Sequence, residues 1–343
     1  MSVAIGGSLP RPRAAAWGAS LAAARAWLFL AVLVAGFEAW SRASFGATFI
    51  LNPANLRSIA VFATAPLLLA IGQTFVIISG GIDLSVGFTM GLAAVVASQT
   101  MNLTAAALGP AGALLAGMVA AALVALVPGV INGLLIARLR VPPFIGTLGM
   151  YGVARGAAYL LAGGTTVPVD NDLLNFLGNG AIGPVPVVVI ATALCMLALH
   201  YLLSQSRFGQ YTYAVGGSRA ASLRAGIDVR GVTMRLYVLS ALTAALGGVL
   251  YAGRFSAGAA QAGEPLLLDS IAAVVIGGAS LFGGSGTLVG TLIGALIVAV
   301  IQYGLVFINV EPFWQFVAVG VVIIISVLVD QSQRRGAGGR VDE

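Results

Sequence analysis

The stretch that decides the fold is FVIISGGIDLSVGF, Phe75 to Phe88. An apolar run meets two adjacent glycines and an aspartate, and a second apolar run starts at once. A helix from Ser58 rises 1.5 Å per residue, so it crosses about 30 Å of hydrocarbon by Ser79. Gly80-Gly81 then permits a break, and Asp83 reads as the N-cap of a new helix starting at Leu84. The break lies either at the cytoplasmic boundary or in a re-entrant turn. Asp83 is also a candidate for direct contact with a transported solute, since ionisable groups within a membrane segment are functional by default.

Working outward, composition supports the membrane reading. Of 343 residues 59% are hydrophobic and 8% charged, whereas a soluble domain carries about 25% charge. The net charge of +6 comes from arginines dispersed between apolar runs, which argues for topology signals and against nucleic acid. All 17 basic residues are arginine. Without lysine there is no Walker-type phosphate loop and no Schiff-base chemistry. One cysteine, Cys195, and one histidine, His200, leave too little for an internal disulfide, a zinc site or a Ser-His-Asp triad. Nothing here points to an enzyme.

Apolar runs give about ten spans, near 27–44, 58–79, 84–101, 111–137, 143–162, 185–203, 236–253, 269–283, 287–308 and 313–330. Pro128-Gly129 is expected to kink or shorten the fourth. The fold class is an all-α polytopic membrane protein with broken or re-entrant segments. With both termini in the cytoplasm, thirteen arginines fall inside, three (Arg42, Arg57 and Arg254) fall outside, and Arg155 lies within a span. That is the positive-inside pattern. The division is a tail over 1–26, one transmembrane domain over 27–330 and a tail over 331–343. The first span is read as uncleaved, because no small-x-small site follows it before Glu38 and Trp40. Glu38, Asp269 and Asp330 lie near span ends and are expected at the interface.

The loop over 204–235 is the longest polar segment. Within it SRAASLRAGI reads as a short helix, with Ser218 as N-cap and Gly226 as stop. Leu223 and Ile227 form an apolar stripe, with Arg219 and Arg224 elsewhere. Such a helix suits docking of another protein, or rests on anionic lipid.

VVIGGASLFGG, Val274 to Gly284, repeats the plan of IISGGIDLSVG. Gly80-Gly81 align with Gly277-Gly278, and Asp83 with Ser280. Paired helix breaks point to a transport pathway. Glycines four apart at 87/91, 129/133, 152/156 and 286/290/294 indicate close helix packing.

Several ordered motifs together resemble one family. GQTFVIISGGIDLSVG, VPPFIGTLGM, GGSRAASLRAGIDV, YVLSALTAALGGVLYAGR and LDSIAAVVIGGASLFGGSGTLVGTLIGAL follow the order found in permease subunits of ribose-type ABC importers. The resemblance spans about 55–330. It implies a permease of a monosaccharide importer in a bacterial inner membrane, working by alternating access. It also implies a second permease, identical or related, a cytoplasmic ATPase holding ATP and Mg, and a periplasmic sugar-binding protein. No cofactor would bind this chain itself. Ser218, Arg219, Ala220, Ala221, Leu223, Arg224 and Gly226 correspond to the ATPase-docking segment. Ala220 and Leu267 depart from the family's habit, which often has acids there. Hydrogen-bonding and aromatic groups suit a sugar path, and the candidates are Gln73, Thr74, Ser79, Asp83, Ser85, Thr147, Tyr151 and Arg155. The rival reading is an ion-coupled secondary transporter acting alone.

Overall fold

A computed structural model describes residues 13–311 and 313–338. The first twelve and last five residues of the expected tails lie outside that range. Residues 13–26 and 331–338 extend terminal helices.

The chain is helical almost throughout. In order come α1 (Arg13–Phe45), α2 (Pro53–Ile78), α3 (Val86–Ala137), α4 (Pro143–Ala162), β1 (Val167–Pro168), α5 (Asp172–Asn179), β2 (Ala181–Ile182) and β3 (Val185–Pro186). Then follow α6 (Val187–Gln205), α7 (Arg207–Gly217), α8 (Arg219–Arg224), α9 (Val229–Phe255), β4 (Ala257–Gly258), α10 (Glu264–Ile276), α11 (Leu288–Phe307) and α12 (Phe313–Gly338). The strands are two-residue pairings, β1 with β4 and β2 with β3, both antiparallel.

Among the described residues six helices are long and apolar enough to cross a membrane: residues 26–45 of α1, then α2, α3, α6, α9 and α11. The protein is therefore a multi-pass membrane protein. The expected spans at 84–101 and 111–137 are the two arms of α3. Its single non-helical residue is Gly109, at φ 64° and ψ 179°, followed by Pro110. The break falls there and not at Pro128-Gly129, where the helix continues. Gly129 packs against Tyr237, Val238 and Ala241 of α9. The expected span at 269–283 is displaced and shortened. Pro265 in the first turn starts α10 early and Gly277-Gly278 ends it, leaving 13 residues, or about 20 Å.

Close packing sets the interior. The two arms of α3 clasp α9, and α2 lies against α9, α10 and α11. Gly133 meets Met234, while Gly290 and Gly294 meet the backbone of α10 at Gly277 and Ala273. After β4 the chain descends beside the first arm of α3. Gly258 lies by Ala94, Ala260 by Gly91 and Gly263 by Gly87. Of the four glycine series only the one on α4 is unfilled: a β-carbon on Gly149, Gly152 or Gly156 would meet nothing.

The bundle has two distinct ends. The upper end carries α5 and the small strands, where Asn171 Nδ2 donates to the Pro110 carbonyl and Asn179 Nδ2 to that of Gly253. At this end Glu38 accepts from Arg42, Phe49 N and Ile50 N, closing the α1–α2 connection. The lower end carries α7 and α8.

Candidate functional site

The opening stretch forms a re-entrant turn. Ser79 closes α2, and Gly80, at φ 81°, reverses the chain. Gly80 N donates to Ile77 O and Gly81 N to Val76 O, which satisfies the last carbonyls of the helix. The chain then climbs back beside α2. Gln73 Nε2 donates to the Asp83 carbonyl at 2.5 Å, and Tyr237 Oη donates to Ile82 O at 3.3 Å. Asp83 thus stands roughly 7 Å above the lower end of α2, five residues back at 1.5 Å each.

Asp83 makes the capping bond expected of it: Oδ1 accepts from Ser85 N, two residues on, at 3.1 Å, and Ser85 already has helical φ/ψ. The regular helix runs from Val86. The same carboxylate does more than cap, since Oδ1 also accepts from Ser85 Oγ at 2.7 Å and Oδ2 from Ser240 Oγ at 2.9 Å. Asn132 Nδ2 completes the knot, donating to Ser85 Oγ at 2.9 Å. Asp83 is 1% exposed and ties α2, both arms of α3 and α9 together. A buried carboxylate held by several donors is a structural clasp, and removing it strands them all.

The second glycine turn resembles the first with one residue fewer. Gly278, at φ 87°, follows the end of α10, and Gly278 N and Ala279 N donate to Val275 O and Val274 O. By these bonds Gly80 matches Gly278, one position away from the register read in the sequence. The side-chain turns keep the other register, since Phe282 N donates to Ser280 Oγ as Ser85 N does to Asp83.

The two turns and α7 meet at one junction. Gly284 N donates to Ile78 O at 2.8 Å, and a β-carbon on Gly216 would collide with that same carbonyl. Tyr213 Oη donates to Gly286 O at 2.7 Å, and Phe208 stacks on Phe75. Burial pushes the Tyr213 phenol above its ordinary pKa, which keeps this donor protonated. Two residues beyond Gly216, Ser218 Oγ accepts from Ala221 N and starts α8 as the sequence indicated. Gly226, at φ 80°, ends it. Ser218, Arg219, Ala220, Ala221, Leu223, Arg224 and Gly226 are all exposed, while Ser222 is buried against the body.

The remaining residues named from sequence divide into two groups. Gln73, Thr74, Ser85 and Thr147 are buried, and Ser79 is partly so. Thr74 Oγ1 bonds Thr291 Oγ1, Ser79 Oγ donates to Val76 O and Thr147 Oγ1 to Pro143 O. Tyr151 and Arg155 lie on α4. Tyr151 Oη donates to Glu264 Oε1 at 3.2 Å, and its ring meets Phe88 edge-on. Arg155 is exposed, with its guanidinium over the Phe88 ring at 5.4 Å.

Sequence reasoning missed a cavity of about 470 Å³ in the upper half, between α2, α9, α10, α11 and α12. Asp269, Glu264, Gln261 and Gln302 line it with Tyr251 and Phe255. Asp269 does not stand at a helix end but inside α10, where it is 4% exposed and accepts from Gln302 Nε2 at 2.7 Å. The available signal was its place in an apolar run, as for Asp83. A smaller cavity of about 190 Å³, lined by Arg57, Ser58, Asn179 and Arg254, shares Val61, Phe62 and Arg254 with it.

An apolar helical body with broken helices and an exposed short helix at one end fits a multi-pass membrane transport protein. The chain belongs to the family described as branched-chain amino acid transport system / permease component, which matches residues 55–327. It is 37% identical to the fructose import permease protein FrcC of Rhizobium meliloti over 276 residues, 77% of this chain and 74% of that one. It is 37% identical over 284 residues to the ribose import permease protein RbsC of Escherichia coli K12, covering 82% and 86% of the two chains. RbsC of Bacillus subtilis is 38% identical over 296 residues, with the same coverage.

Proposed function

We propose that this protein is the transmembrane permease subunit of an ATP-driven monosaccharide importer in a bacterial inner membrane, with both termini in the cytoplasm. Relatives named for ribose, fructose, galactose and allose import support a small neutral sugar as cargo. The observation that carries the reading is α8, exposed along every residue assigned to docking and joined through α7 to both glycine turns.

In this reading a separate cytoplasmic ATPase, which holds the ATP and Mg, grips α8. Its closure moves α7, and the junction at Gly216 passes that movement to Ile78 and Gly284. The absence of lysine from the chain fits an ATPase on another subunit. A periplasmic sugar-binding protein docks at the upper end, where Arg57 and Arg254 line a small cavity suited to acidic side chains.

A second permease subunit, identical or related, faces α4. An exposed arginine within an apolar helix costs several kcal/mol against lipid, and Arg155 stands exposed beside the open glycines of α4. A partner on that face puts Tyr151 and Arg155 at the subunit interface, along the path. Gln73, Thr74, Ser79, Asp83, Ser85 and Thr147 pack inside this subunit, so we assign them to the wall that shifts during alternating access.

Docking is tested by co-purification with the ATPase encoded alongside. Charge reversal in Arg219→Glu with Arg224→Glu is expected to lower recovery of the ATPase about tenfold, with the permease still eluting as a monodisperse peak. Unchanged recovery would place the docking surface elsewhere.

A further inference from the structure

Among the described residues Asp269 is the buried carboxylate whose surroundings leave it unfinished. It lies a turn into α10 among Leu267, Leu268 and Ile271, and its single hydrogen bond among the described residues comes from Gln302. A carboxylate taken out of water needs several donors to offset desolvation, and one neutral amide does not supply them. Asp269 nevertheless borders the upper cavity, together with Glu264 and Gln261. Tyr251 and Phe255 flank the same space, their ring centroids 4.5 Å apart and inclined at 41°.

We infer that this cavity is a monosaccharide-binding site within the permease, entered past Arg254 and Arg57, where Asp269 and Gln302 take the hydroxyls and Tyr251 with Phe255 covers the ring. The inference rests on the importer reading above and adds a place where the sugar pauses. The chemistry matches a neutral polyol. A carboxylate accepts from two adjacent hydroxyls, a neighbouring amide both donates and accepts, and an aromatic wall contacts the apolar C–H face. A free cation is a poorer fit, because Arg254 stands at the entrance and carries like charge. A volume of about 470 Å³ holds a hexose with some water, as suits a site that must release its cargo. Its neighbour on α4 is Tyr151, bonded to Glu264, so the cavity adjoins the face assigned to the second subunit.

The test uses the permease–ATPase complex in nanodiscs, with Cys195→Ala and a single thiol on the cavity wall at Leu266→Cys, or at Ala262→Cys should the first fail to assemble. Labelling by a charged methanethiosulfonate reagent is timed with D-ribose, D-fructose, D-galactose or D-allose, and uptake of the same sugars is measured with the full importer. The transported sugar is expected to slow labelling by about fivefold and its mirror image to leave it unchanged. In an Asp269→Asn background the half-protecting concentration is expected to rise about tenfold. A merely structural Asp269 would alter labelling without sugar and leave that concentration alone, which would overturn the assignment. A sugar that is taken up yet gives no protection overturns the site while the importer reading stands. Uptake of no monosaccharide overturns the importer reading, and this site with it.

Discussion

Asp83 and Asp269 are both aspartates in apolar sequence, both almost fully buried, and they are built for opposite ends. Asp83 sits in a closed knot, accepting from Ser85 and Ser240 beside Asn132, with the Gln73 side chain on its own backbone. Asp269 has Gln302 and an open cavity. The first has spent its hydrogen-bonding capacity on the protein. The second keeps most of it for something else. Burial alone therefore does not tell a structural acid from a binding one; the number of protein donors does.

That contrast breaks most readily at Asp83. Asp83→Ala strands Ser85, Ser240 and Asn132 in the interior and is expected to destabilise the protein by about 3–5 kcal/mol. The readout is the melting temperature in detergent or the loss of the monodisperse peak. Asp83→Asn keeps the shape and an acceptor, and is expected to cost about 1–2 kcal/mol. A wild-type melting temperature in Asp83→Ala would remove the clasp. The smallest effect is expected at Asp269: Asp269→Asn should change stability by less than about 1 kcal/mol, because few protein partners lose a bond. A loss as large as that of Asp83→Ala would make the two acids alike and end the comparison.

The sequence made much of this legible, and the reasons for the misses are physical. Helix α8 was readable because its signals are local: Ser218 at the start, Gly226 at the stop, three to four residues from what they bond. The turn at Gly80 was readable for the same reason. The cap at Asp83 was readable too, but the knot around it was not, because two of its members, Asn132 and Ser240, lie 49 and 157 residues away. Capping is the local part of this aspartate's role, and the tertiary network is added to it. Asp269 was misplaced because the span was drawn from 269, and Pro265 moves the helix start upstream. The one-residue offset between the glycine turns arises because the positive-φ residue sets the register at a helix end, and either glycine of a pair can take it. The glycine series was legible as packing in three cases. On α4 the same pattern faces open space, and no count of spacings separates a filled groove from one awaiting a second subunit.

The most direct test of the account is uptake of radiolabelled monosaccharide into proteoliposomes loaded with ATP. Uptake is expected when the permease is reconstituted with its ATPase and supplied with its binding protein, and background levels when either is left out. Uptake by the permease alone, driven by an imposed ion gradient and indifferent to ATP, would contradict it.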